Sequence, residues 1–254
     1  MKRLLLVGVL FTLLVVVPGC AQKAPAPTGT SILSAFMSYT DLRITSVRQS
    51  LEILASTSEV KSGKWDTMKN LLAGYEASDG GLIVWYVRPD GTYFTVEKGL
   101  MDVTLSDRDY FPDLMAGRAV TGALVVSKAT GQRSAVVAVP VKKGEAVVGA
   151  IGASLFLDKL SEQVDAVLAL EPGTSYFALS PDGLTTLHRT VDRHFLDPRE
   201  LGSESLKTAV EEMLAVAEGE VTYEFDNATK TAVYRTSPVT QWRFAIAVGG
   251  AAKK

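Results

Sequence analysis

The sequence contains one cysteine, Cys20, and two histidines, His188 and His194, in 254 residues. A single thiol excludes an intrachain disulfide framework. The two histidines stand six residues apart in "HRTVDRHFLDPRE", a register that fits neither i, i+4 on a helix nor the usual zinc spacings. His188, Asp192, His194 and Asp197 therefore read as a solvated loop packed over a sheet, and no metal site is expected. Lysine and arginine form no block and the formal net charge is −2, so the basic footprint of a nucleic-acid binder is missing. Beyond residue 17 no apolar run reaches the roughly 18 residues that a spanning helix needs. No G-x-S-x-G elbow, P-loop, H-E-x-x-H or G-x-G-x-x-G stretch occurs, which argues against an enzyme and leaves no cofactor to assign.

What is present begins with composition: 47% hydrophobic and 21% charged residues mark an ordinary globular chain, long enough for one large domain or two small ones. The first residues, "MKRLLLVGVLFTLLVVVPGC", set Lys2 and Arg3 before a continuous apolar segment and a small residue before Cys20, the layout of a secretory signal. Val17, Pro18, Gly19 and Cys20 resemble the lipobox of bacterial lipoproteins, which implies lipidation of Cys20 and a lipid-anchored place in the cell envelope; a plain signal peptide with an incidental cysteine is the alternative. Residues 1–19 are thus expected to be the signal peptide. Residues 20–31, rich in Ala, Pro and polar residues, are expected to be a flexible tether.

Two segments repeat at an offset of 92 residues. "GLIVWYVRPDG" covers 81–91 and "GTSYFALSPDG" covers 173–183. Each reads as a strand rich in β-branched and aromatic residues that enters a Pro-Asp-Gly turn, with a second strand beyond it. A helical stretch and three apolar strands follow each copy: 120–127, 133–141 and 146–154 in the first half, and segments near 220–226, 231–237 and 241–248 in the second. A long helix from about Ile32 to Ser58, extended by "WDTMKNLLAGYEA", precedes the first copy, and one over 157–170 precedes the second. This order predicts an α+β fold of two tandem modules, 32–156 and 157–250, each an antiparallel five-stranded sheet with flanking helices.

"SDRDYFPDLMAGRAV", "VVSKATGQRSAVVAVPV" and "AVVGAIGASLFLDKL" resemble successive motifs of the double Cache family, extracellular PAS-like sensor modules of bacteria. "GTSYFALSPDGLTTLHR" resembles it more loosely in the second module. The resemblance implies a ligand cavity between the sheet and its covering segments in the first module, and a spacer or partner surface in the second. Arg108 can offer a fork to a carboxylate and Tyr110 a ring with one hydroxyl; Trp85, Tyr93, Ser127 and Ser154 are further wall candidates. The other reading of the same residues has Asp107 capping a helix that begins near Arg108, Arg108 in a surface ion pair, and Tyr110 and Phe111 in the core. Amino-acid-binding members of the family carry an Asp late in the last strand for the ligand amine. Ser154 stands there, so the resemblance implies a small carboxylate or an uncharged metabolite. A membrane receptor or transporter is the expected partner, and the N-terminal helix is a candidate homodimer surface. A second class of function is an envelope docking protein that keeps the fold without a pocket.

Overall fold

The computed structural model describes residues 28–249; the signal-peptide reading, Cys20 and residues 20–27 of the tether lie outside them. Helix α1, Gly29–Ser56, starts where the Thr28 hydroxyl accepts the Ser31 N–H, so residues 29–31 of the expected tether belong to the helix. Leu33, Phe36, Thr40, Ile44, Val47, Leu51 and Leu54 are buried at steps of three or four residues that lay one stripe against the sheets. The expected extension of this helix is instead divided. Thr57 turns to extended φ/ψ and its hydroxyl caps α2, Ser58–Lys61; Gly63 at φ +69° and extended Lys64 then precede α3, Trp65–Asp79. Among the described residues, no helix is long and apolar enough to cross a membrane.

The first sheet is built from β1 Leu82–Val87, β2 Thr92–Thr95, β3 Gly99–Thr104, β4 Val120–Val126, β5 Arg133–Lys143 and β6 Ala146–Phe156, in the order β3-β2-β1-β6-β5-β4. Helix α4, Phe111–Met115, lies between β3 and β4 in sequence. After α5, Leu157–Leu168, the second sheet follows with β7 Thr174–Leu179, β8 Thr185–His188, β9 Glu218–Phe225, β10 Ala228–Thr236 and β11 Arg243–Gly249, ordered β8-β7-β11-β10-β9, with α6, Glu204–Ala215, inserted before β9. All strand pairs are antiparallel. The first sheet has six strands where five were expected. The extra one, β3, pairs with β2 alone and is largely exposed, so it shows none of the apolar alternation by which a half-buried strand is read.

Strand alternation sorts the core into an inner and two outer clusters. Leu82, Val84 and Tyr86 of β1 join the stripe of α1, as do Tyr176, Phe244 and Ile246 of the second sheet. Phe36 of α1 meets Tyr176 and Phe244 at 4.8 Å between ring centres in each case. Trp85 and Val87, on the other face of β1, pack under α4 with Phe111 and Leu114, while Phe177 and Leu179 pack under α6 with Leu206 and Val210. His194, read from the sequence as part of a solvated loop, is fully buried. Its ring bridges Asp158 and Ser161 of α5, 3.0 Å from each, because the loop folds down onto that helix.

Candidate ligand cavity

The Pro89-Asp90-Gly91 turn sets up one wall. Asp90 accepts the Thr92 N–H at 2.9 Å and Gly91 takes φ +85°, which folds β2 straight back so that Tyr93 pairs with Val87. The turn also holds the next segment: Leu105 N–H donates to the Gly91 carbonyl at 2.9 Å, and a Cβ on Gly91 would come within 2.7 Å of Ser106 Cβ. Only glycine gives both that φ and that approach.

The segment so anchored, 105–111, lies over the outer face of the sheet. Arg108, Tyr110, Trp85, Tyr93, Ser127 and Ser154 all line one cavity of about 20 Å³, with Lys128, Ile83, Leu105, Val125 and Ala129 completing it. Trp85 reaches its place because Gly152 faces it across the β1–β6 pair, where a Cβ would come within 2.2 Å of the indole. The indole N–H donates to Ser154 Oγ at 3.1 Å, and the ring stacks on Tyr110 at 6.4 Å. Ser127 Oγ accepts the Thr130 N–H at 3.3 Å. Both serines are therefore already engaged with the protein.

Two polar groups in this wall are not satisfied. Arg108 donates from Nη2 to the Val126 carbonyl at 2.7 Å, but among the described residues its buried Nε has no partner, and neither has the buried hydroxyl of Tyr93. Each such group costs about 1–3 kcal/mol, a cost that a ligand supplying acceptors removes. Burial pushes the Tyr110 phenol up to about 12, partly opposed by the Arg108 guanidinium, and burial also raises Tyr93. Both hydroxyls stay protonated at neutral pH and able to donate.

The segment over the cavity is tied down. Lys128 Nζ sits 2.6 Å from Asp107 Oδ1 and donates to the Thr104 carbonyl at 2.8 Å, lacing segment 105–111 to the 126–131 turn; Lys98 holds the Ala129 carbonyl at 2.5 Å. Asp107 therefore caps no helix, since α4 starts only at Phe111, and Arg108 bonds the Val126 carbonyl and has no ion-pair partner among the described residues. Tyr110 and Phe111, each 9% exposed, are core residues as well as wall. Lys128 carried no signal in the sequence: its role comes from a turn that brings residues 21 positions apart together.

No protein-family model matches the chain, and no curated protein matches it. Solved structures do. An extracellular ligand binding receptor from Desulfohalobium retbaense aligns over 87% of the chain with TM-score 0.70 and 14% identity, the chain spanning 40% of that receptor. The extracellular domain of a histidine kinase, rpHK1S-Z16, aligns over 86% of the chain and 92% of its own length, with TM-score 0.71 and 16% identity. The ligand-binding domain of a Campylobacter jejuni chemoreceptor, solved with 4-methylisoleucine, aligns over 87% and 89% with TM-score 0.64 and 13% identity. The chain has the fold of these extracellular sensory domains, the tandem arrangement implied by its resemblance to the double Cache family.

Proposed function

We propose that the chain is a lipid-anchored envelope protein whose first module binds a small solute, a carboxylate or similar metabolite, as the sensory or accessory component of a membrane receptor or transporter. The observation that carries this reading is that Arg108 and Tyr93, whose buried Nε and hydroxyl have no partner among the described residues, line one cavity. A guanidinium N–H with a phenol hydroxyl beside it is the complement of a carboxylate. The chemoreceptor domain crystallised with 4-methylisoleucine supports a small-molecule reading. Ser154 already accepts from Trp85 and supplies no charge for an amine, which favours a ligand without one. The reading is of binding, not catalysis.

A cavity of about 20 Å³ has room for about one water, so binding parts the cap. Arg108 exchanges the Val126 carbonyl for the ligand, and the Asp107–Lys128 bridge opens. That coupling gives a partner a shape change to read, because a ligand shifts an equilibrium only through differential contacts with its two states. The test is a thermal-shift screen of carboxylates, amino acids, purines, sugars and polyamines. A ligand at about 100 times its dissociation constant adds roughly 2.7 kcal/mol of stability, and Arg108→Ala is expected to abolish the shift with the fold intact. An unchanged affinity in Arg108→Ala contradicts the site.

The docking reading has its own support in α1, where Leu42 and Ile53 are 66% and 69% exposed on the face turned away from the sheets, the stripe through which a second copy or an envelope partner would bind. Silence across the whole screen, with partner or self-association lost in Leu42→Glu, favours that reading.

A further inference from the structure

We propose that the second module carries a ligand site of its own, for a small carboxylate with an apolar body, in the cavity between the outer face of its sheet and the start of α6. The 92-residue offset places Ser175, Phe177 and Thr185 where the first module has Ile83, Trp85 and Tyr93, and these three line a cavity in turn. Register agrees: Trp85 pairs with Gly152 and Ile83 with Ser154, as Phe177 pairs with Ala245 and Ser175 with Ala247. Phenylalanine in place of tryptophan and threonine in place of tyrosine leave more room, and the second cavity measures about 210 Å³ against about 20 Å³. Drug-sized ligands occupy pockets of about 300–1,000 Å³, so a smaller molecule fits this one.

The chemistry of the wall is divided. Phe177, Leu206, Val210 and Ala247 make an apolar floor. Cations gather at the rim on Phe225, with the Arg193 guanidinium 4.6 Å and the Lys230 ammonium 5.0 Å from the ring centre. Arg193 shares its charge with Asp226 at 3.3 Å, the one acidic residue lining the cavity among the described residues. Lys230 forms no ion pair among the described residues, so one positive charge is left over.

Neutral donors stand beside it. The Thr190 N–H donates to His188 Nδ1 at 2.7 Å, which puts the ring proton of neutral His188 on Nε2. Burial, then Arg193, push the His188 pKa down to about 3, so at neutral pH it donates without adding charge, stacked on Phe177 at 6.4 Å. Tyr223 pairs with Lys230 across β9–β10, its phenol raised by burial to about 12. One spare charge, several donors and an apolar floor match a monocarboxylate with its body inward. A fully hydrated dianion would waste the floor.

The experiment is isothermal titration of the full chain with benzoate and hexanoate, and with benzamide and hexanamide as uncharged counterparts. At least one acid binds, its amide is about tenfold or more weaker, and Lys230→Gln and Arg193→Gln each weaken the acid by about tenfold. Ala247→Leu, which fills the floor, removes binding, whereas Arg108→Ala leaves it intact. Equal binding of acid and amide, loss in Arg108→Ala, or no binding of either acid up to about 10 mM overturns the site. A compound whose binding survives Arg108→Ala and is lost in Ala247→Leu occupies the second cavity, and one with the opposite pattern the first, so failure here is distinct from failure of the reading proposed for the first module.

Discussion

His188 and His194 are the only histidines, and burial is the first cause holding both below the ordinary histidine value. A group that stays neutral in the fold and charges in the unfolded chain stabilises above its unfolded pKa of about 6.5 and loses that stability as pH falls toward its folded pKa. His188, held down to about 3, thus costs up to about 1.4 kcal/mol per pH unit below that point; His194, lowered by burial against the opposing pull of Asp158, acts in the same direction. Asp41, Glu76 and Asp165, raised by burial, act in the opposite sense at lower pH, in the carboxylate range. Thermal unfolding measured between pH 7.5 and 5.5 is expected to show falling stability in the wild type. His188→Asn, whose amide oxygen can still accept the Thr190 N–H, is expected to flatten that dependence; an unchanged profile contradicts a neutral His188. At this scale the residues that line the candidate cavity were legible. Arg108 and Tyr110 stand out as charge beside aromatics in "SDRDYF", and Trp85 and Tyr93 flank a recognisable turn. The bonds of Arg108 and Ser154 were not legible, because they join residues 18 and 69 positions apart.

Helix α1 is the element on which both modules rest. Its stripe packs on β5 and β6 of the first sheet and on β10 and β11 of the second, and Ser237 donates to Asp41 at 2.7 Å. Phe36 has no exposed surface and holds Tyr176 and Phe244 in an aromatic cluster. Phe36→Ala is expected to cost about 3–5 kcal/mol, seen as a lower midpoint in urea denaturation; a loss under about 1 kcal/mol contradicts the spine role. Helix periodicity made α1 plain in the sequence. Its break was hidden in "STSEV", where Thr57 serves both as the end of one helix and the cap of the next, and β3 was hidden because an exposed edge strand has no apolar face to repeat.

At the scale of the whole molecule, the repeat in the sequence becomes two sheets back to one helical spine, each with a cavity on its outer face. The 92-residue offset matches the order of strands and helix around each sheet and the turns after β1 and β7. It gave no sign that the second cavity would be the larger, since that follows from the volumes of Phe177 and Thr185 set against Trp85 and Tyr93. The account rests on the first cavity opening to a solute, and amide hydrogen exchange on the full chain, with and without the compound that raises its melting temperature, tests this most directly. Protection concentrated in residues 105–111 and 126–131, and absent in Arg108→Ala, is the predicted result. Protection confined to the outward face of α1, or to the second module, would contradict it.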